Sequence, residues 1–220
     1  MDSLEPRVKI LSPSILAYDN CNIVDGVDLI ARTSAEWIHV DVMDGTFVPS
    51  ITFGQAVVNG IKQRVNKKLD VHLMTQFPKN LIESFAVAGA DFITFHHESS
   101  SDTQETIDLI KSCKKLVGLA IKPETNVDEI GQFFSELDLI LIMSVEPGKC
   151  GQKFIPTTYD KLTFLRRIKK ASNYKFLLSV DGGINSANLD HVYANGADVC
   201  VVGSAFFSEN EFFRKRFPGN

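Results

Sequence analysis

The chain has 220 residues, 44% of them hydrophobic, and a formal net charge of −4. That length supports one sizeable core in a single domain over 1–220, and the acidic balance argues against a polyanion-binding surface, so nucleic acid is not an expected partner. Cys21, Cys113, Cys150 and Cys200 are scattered without a CxxC pair, no apolar run is long enough for a membrane span, and Met1 to Arg7 lack an apolar leader core, which together predict a cytoplasmic protein with free thiols and no membrane association.

Short apolar runs, often β-branched and apolar on both faces, alternate with amphipathic stretches along the whole chain. The first strand-like run, 9–16, contains Ser12-Pro13-Ser14, and runs at 37–42 and 69–73 follow it. Residues 80–88 place apolar side chains at helical spacing and end at Gly89-Ala90-Asp91, where glycine can take the left-handed terminal conformation. A strand at 92–95, a helical pattern at 103–113, a strand at 117–121, a helical pattern at 128–134 and a strand at 139–143 come next. After a helical pattern at 159–170 and a strand at 176–180, Gly196-Ala197-Asp198 leads into the last strand, 199–202, and the tail 210–220 is short for a full final helix.

Strands alternating with helices predict a parallel α/β fold. A doubly wound sheet would place a Gly-rich turn after its first strand, whereas here the glycine turns follow the seventh and eighth. That is where a (β/α)₈ TIM barrel commonly holds a phosphate, so the barrel is the expected fold, more compact than the typical size of about 250 residues.

The segment Trp37-Ile38-His39-Val40-Asp41-Val42-Met43-Asp44-Gly45 is the most informative. His39 and Asp41 are two apart on a predicted strand, so their side chains point the same way near its C-terminal end. His72 closes the third strand and Asp181 the seventh, and in a barrel these ends converge on one mouth. One histidine at a strand end is equally well explained as a hydrogen-bonded structural residue. Two imidazoles and two carboxylates together suit a divalent transition metal, and carboxylates beside an apolar core need a cation or other partners.

Gly182-Gly183 and Gly203-Ser204 allow close backbone approach to an anion, with Ala205-Phe206-Phe207 opening a short helix. Met43, Met74 and Met143 each lie at or just past a strand end, where they would form a soft apolar wall that keeps water from a reactive intermediate. Residues 145–154, Val-Glu-Pro-Gly-Lys-Cys-Gly-Gln-Lys-Phe, suit a lid over the mouth and equally an ordinary surface loop.

Together, Ser12-Pro13-Ser14-Ile15-Leu16, the 39–49 block His-x-Asp-x-Met-Asp-Gly-x-Phe-Val-Pro, residues 70–74, 145–154, 180–183 and 202–204 resemble the ribulose-phosphate 3-epimerase family. The resemblance covers nearly the whole chain and implies a ribulose-phosphate-binding barrel. It implies that His39, Asp41, His72 and Asp181 bind one divalent metal ion (Zn²⁺, Fe²⁺, Mn²⁺ or Co²⁺), with no organic cofactor. It implies further that Asp41 and Asp181 are the acid/base pair, with Asp41 the acceptor from D-ribulose 5-phosphate towards D-xylulose 5-phosphate. Ser14 and His72 would contact the sugar, while Gly148, Lys149, Cys150, Gly151, Gly182, Gly183, Gly203 and Ser204 would surround the phosphate end. The family is often oligomeric, and a homodimer is expected. The sequence departs from the family pattern at Lys149-Cys150, where the lid usually reads Phe-Gly, and at Ser50, usually asparagine. Those departures keep a hexulose 6-phosphate 3-epimerase open as an alternative, and behind it a non-catalytic sugar-phosphate-binding barrel.

Overall fold

The computed structural model describes residues 9–99 and 102–219; Met1 to Arg7, which carry the leader argument, lie outside them. Eight parallel strands form one sheet: β1 (Ile10–Pro13), β2 (Trp37–Met43), β3 (Lys68–Met74), β4 (Phe92–His96), β5 (Leu116–Ile121), β6 (Leu139–Met143), β7 (Leu177–Asp181) and β8 (Val199–Val202). The order β1-β8-β7-β6-β5-β4-β3-β2 runs around a barrel, and the isolated parallel bridge Ser14–His39 joins its two ends. The expected TIM barrel is the observed fold.

Between the strands lie α1 (Ile23–Ala31), α2 (Gln55–Arg64), α3 (Ile82–Ala88), α4 (Thr103–Ser112), α5 (Thr158–Ser172) and α6 (Leu189–Asn195), and after β8 come α7 (Ser204–Ser208) and α8 (Asn210–Arg216). Alternation along each strand divides the apolar residues between two layers. Ile38, Val40, Leu69, Val71 and Ile93 pack in the large cluster shared with Ile30, Val58, Phe85 and Leu162 of the helices. Ile10, Trp37, Phe92, Leu139 and Val199 form a second cluster that fills the barrel below its mouth.

An aspartate before each of three even strands ties the preceding strand in place. Asp91, Asp138 and Asp198 accept the backbone N–H of Leu69, Val117 and Leu178 at 2.8, 2.8 and 2.9 Å. Lys62 pairs with the first at 2.6 Å and Lys169 with the last at 2.7 Å.

Most expected elements shift by a residue or two at their ends, and four differences have local causes. The first strand stops at Pro13, because residues Ile15–Ala17 turn into a 3₁₀ helix that carries the chain off the barrel rim. A 3₁₀ turn at Pro78–Asn80, opened by proline, precedes α3, so the helix expected from residue 80 starts at Ile82. The helix expected over 128–134 is the 3₁₀ helix Val127–Phe133, with Gly131 inside it and an Asn126/Glu129 capping box at its start. The tail forms α8, and Ser34 N–H bonds Phe217 O at 3.2 Å, pinning it to the turn after α1. Among the described residues no helix is long and apolar enough to cross a membrane.

Candidate active site

The register of β2 on β3 pairs His39 with Asp70, Asp41 with His72 and Met43 with Met74, and β6 pairs Met143 with Asp181 on β7. Alternation therefore sends Asp41, His72 and Asp181 into the same mouth, with His39 one level below. The structure brings the four expected ligands together: one donor atom from each of His39, Asp41, His72 and Asp181 lies within 4.8 Å of the others, a group that can hold a metal ion. His39 Nε2 is 3.3 Å from Asp41 Oδ1 and 3.8 Å from Asp181 Oδ2. His72 Nδ1 is 3.2 Å from Asp41 Oδ1, 3.9 Å from Asp181 Oδ2 and 3.3 Å from His39 Nε2.

The electrostatics separate the two carboxylates. Burial opposes charge on Asp41, but the imidazoles of His39 and His72 outweigh it and lower its pKa far below the usual carboxylate range. Asp181 is pushed upward, first by burial and then by the charge of Asp41. Burial also opposes protonation of His39, and Asp41 and Asp70 overcome that and raise its pKa. Two mutually repelling carboxylates with two imidazole nitrogens between them form a donor set that a divalent cation neutralises.

Around these four, a further shell sets their orientation. Ser14 Oγ donates to Asp41 Oδ2 at 2.6 Å across the barrel seam. Asp70 Oδ2 is 2.9 Å from His39 Nδ1, and Asp70 Oδ1 accepts from Thr94 Oγ1 at 2.7 Å. His96 Nε2 is 3.0 Å from His72 Nε2, and His96 Nδ1 is 3.1 Å from Glu98 Oε2. Burial lowers His96 to about 4. Asp70, Thr94, His96 and Glu98 are absent from the residues singled out in the sequence. The i, i+2 rule that paired His39 with Asp41 also pairs Asp70 with His72 and Thr94 with His96, and would have found three of them.

Above the carboxylates, one pocket is lined by Ser14, Asp41, Asp181 and the three methionines, and by Gly148, Lys149, Cys150, Gly151, Gly182, Gly183, Gly203 and Ser204. Met43 and Met74 pack together with Val48, while Met143 tops the barrel interior. Gly183, at φ +63°, passes so close to residues 153–154 that a Cβ there would sit 2.3 Å from the Phe154 nitrogen. Gly203 precedes α7, which starts at Ser204, one residue before the Ala205-Phe206-Phe207 turn expected to open it. The segment over the pocket turns at Gly148 and Gly151, both with positive φ. Gln152 Nε2 donates to the carbonyls of Glu146 and Lys149 at 2.6 and 3.0 Å, and Ser50 Oγ donates to Gly148 O at 3.0 Å. Cys150 is exposed at the pocket, and desolvation of its thiol, reinforced by the charges of Asp41 and Asp181, pushes it up to about 12.

A family model described as "Ribulose-phosphate 3 epimerase family" matches residues 10–207. A ribulose-phosphate 3-epimerase of Buchnera aphidicola subsp. Schizaphis graminum is 39% identical over 203 residues, 92% of this chain and 89% of its own. Proteins of the same name from Synechocystis and Escherichia coli are 40% and 37% identical, over 90% and 92% of this chain and 87% and 91% of theirs. Among solved structures, a mutant tryptophan synthase alpha-subunit from Pyrococcus furiosus matches with a TM-score of 0.70 over 96% of each chain at 13% identity, a likeness of fold alone.

Proposed function

The chain belongs to the ribulose-phosphate 3-epimerase family, and from that premise we propose that it interconverts D-ribulose 5-phosphate and D-xylulose 5-phosphate by metal-dependent proton transfer at C3. The observation that carries this reading is the placement of Asp41 and Asp181 on β2 and β7, lining one pocket and sharing one cluster of donor atoms with His39 and His72.

The donor set fits a divalent transition metal such as Zn²⁺, Fe²⁺, Mn²⁺ or Co²⁺, with His39, Asp41, His72 and Asp181 as its ligands. When bound, such an ion supplies positive charge beside the developing enediolate. Asp41, the carboxylate that its imidazole neighbours keep ionised, takes the C3 proton from one face. Asp181, whose carboxyl burial and the charge of Asp41 push upward, delivers a proton to the other face and inverts the carbon. Ser14 orients Asp41 through its 2.6 Å hydrogen bond. Met43, Met74 and Met143 hold water away from the enediolate, and the glycines at 182, 183 and 203, with Ser204, take the phosphate.

Lys149 and Cys150, which depart from the family pattern and line the pocket, carry a second reading, a hexulose 6-phosphate with the same reacting carbon. We take a homodimer as the working assembly on the strength of the family resemblance, and sedimentation tests it. Chelation under anaerobic conditions should abolish activity, and one of the four metals should restore it, with the pentulose phosphate preferred over the hexulose phosphate. Full activity in a preparation shown by elemental analysis to be metal-free would contradict the reading.

A further inference from the structure

The two imidazoles of the metal cluster are braced by different partners. His39 has a carboxylate, Asp70, at its outer nitrogen. His72 has a third imidazole instead, that of His96, whose Nε2 meets its own at 3.0 Å with the ring centroids 5.0 Å apart and the planes 29° from parallel. His96 in turn reaches Glu98. Both rings are fully buried, and the reaction proposed above uses neither His96 nor Glu98.

We infer that His96 and Glu98 form a positioning relay that fixes the tautomer of His72, holding its proton on Nε2 and turning the bare Nδ1 towards Asp41 and Asp181. The inference rests on the reading of His72 as a metal ligand.

The proton positions follow from the far end of the chain. Glu98 Oε1 is engaged by two donors, the backbone N–H of Lys122 at 2.7 Å and the hydroxyl of Thr125. The remaining oxygen, Oε2, is an acceptor, so the nitrogen facing it, His96 Nδ1, is the donor. A fully buried, neutral imidazole carries one proton, so His96 Nε2 presents a lone pair. That lone pair meets His72 Nε2 at 3.0 Å, and His72 must donate there. A metal-ligating His72 carries one ring proton, and with that proton on Nε2 its bare nitrogen is Nδ1, the one that faces Asp41 at 3.2 Å. Each link donates in the same direction, away from the cluster and into a carboxylate, and Phe47 covers the middle of the relay with its ring 4.8 Å from that of His96.

The relay can be reversed by replacing one atom. In Glu98→Gln the amide oxygen stays with the Lys122 and Thr125 donors, and the amide NH₂ faces His96 Nδ1. Two donors then oppose each other, the His96 proton moves to Nε2, and the His72 proton is driven to Nδ1, on the metal side. His96→Gln should keep the order, since its amide can accept from His72 and donate to Glu98. His96→Leu fills much of the space and can do neither.

The test reads histidine tautomers by two-bond ¹H–¹⁵N NMR, in metal-free and Zn²⁺-loaded protein, and Zn²⁺ affinity by chelator competition. The expected wild-type His96 is protonated on Nδ1 in both forms, and in Glu98→Gln on Nε2. Zn²⁺ affinity should fall about 10–100-fold in Glu98→Gln and His96→Leu, and by a few-fold at most in His96→Gln, in the range typical of lost support for a metal-ligating histidine. Should His96→Leu fail to fold, the two glutamine variants carry the comparison. Wild-type His96 protonated on Nε2, or a Glu98→Gln protein with unchanged tautomers and affinity, overturns the relay. A wild type that takes up no Zn²⁺ overturns the metal reading instead, and the His96 tautomer in that same protein still decides the relay.

Discussion

Gly118 on β5 faces Thr94 on β4 so closely that a Cβ at position 118 would lie 2.1 Å from the Thr94 hydroxyl and 2.8 Å from its Cβ. The missing side chain gives Thr94 the room to donate to Asp70, which in turn holds His39. Gly118→Ala should therefore weaken Zn²⁺ binding about 10-fold or more, although it touches no ligand, and cost about 1–3 kcal/mol of stability from overpacking. Thr94→Val should reproduce the loss of affinity without overpacking the barrel. Chelator competition and urea unfolding measure the two effects separately. Full Zn²⁺ affinity in both variants would show that the Thr94–Asp70 arm does not set the position of His39.

The departure from the family pattern at Lys149-Cys150 should act on binding. Lys149 and Cys150 line the pocket between Gly148 and Gly151, whose positive φ values make the turn. Replacing them with Phe and Gly leaves the hydrogen bonds of Ser50 and Gln152 to the carbonyls of Gly148 and Lys149 in place, because those end on backbone atoms. KM or the rate of product release should change, and the intrinsic C3–H isotope effect should stay the same. A large change in that isotope effect with unaltered binding would show that the lid acts on the chemical step.

Glu98 predicts a pH dependence of stability. Burial disfavours its charge, but the hydrogen bonds from His96, Thr125 and Lys122 outweigh that and bring its pKa to about 2, against 4.5 unperturbed. As pH falls below 4.5 the unfolded chain takes up this proton before the folded one does. The contribution of the carboxylate is thus complete above 4.5 and is lost as pH falls through about 2. The stability gap between wild type and Glu98→Gln should be widest near neutrality and narrow below pH 4.5, for as far as both proteins stay folded. Urea unfolding at a series of pH values measures it, and a gap that stays constant below pH 4.5 would contradict the account.

The barrel and the four-residue cluster were legible because both are written in short-range patterns. Apolar runs bounded by glycine mark strands, and residues two apart on a strand share a face, so His39 with Asp41 could be read directly. Strand ends converge in any parallel barrel, which brought in His72 and Asp181. What stayed hidden depends on register between strands. The i, i+2 pattern puts Asp70 on the face of His72 and Thr94 on that of His96, but that Asp70 faces His39, or that His96 faces His72, follows from how β2, β3 and β4 pair. The 3₁₀ helix at Val127–Phe133 was missed for a related reason: its apolar spacing suits either helix type, and tertiary packing decides between them.

The central claim is that Asp41 and Asp181 serve opposite faces of one enediolate. The most direct measurement is NMR in D₂O on Asp41→Asn and Asp181→Asn, with D-ribulose 5-phosphate and D-xylulose 5-phosphate supplied separately and the metal content of each variant established first. Asparagine keeps the shape of aspartate and cannot accept the proton, so both variants should nearly stop epimerising. Each retains one carboxylate and should still exchange the C3 hydrogen of a single epimer, and the two variants should favour opposite epimers. Deuterium entering the same epimer alone in both metal-loaded variants would contradict the two-carboxylate assignment.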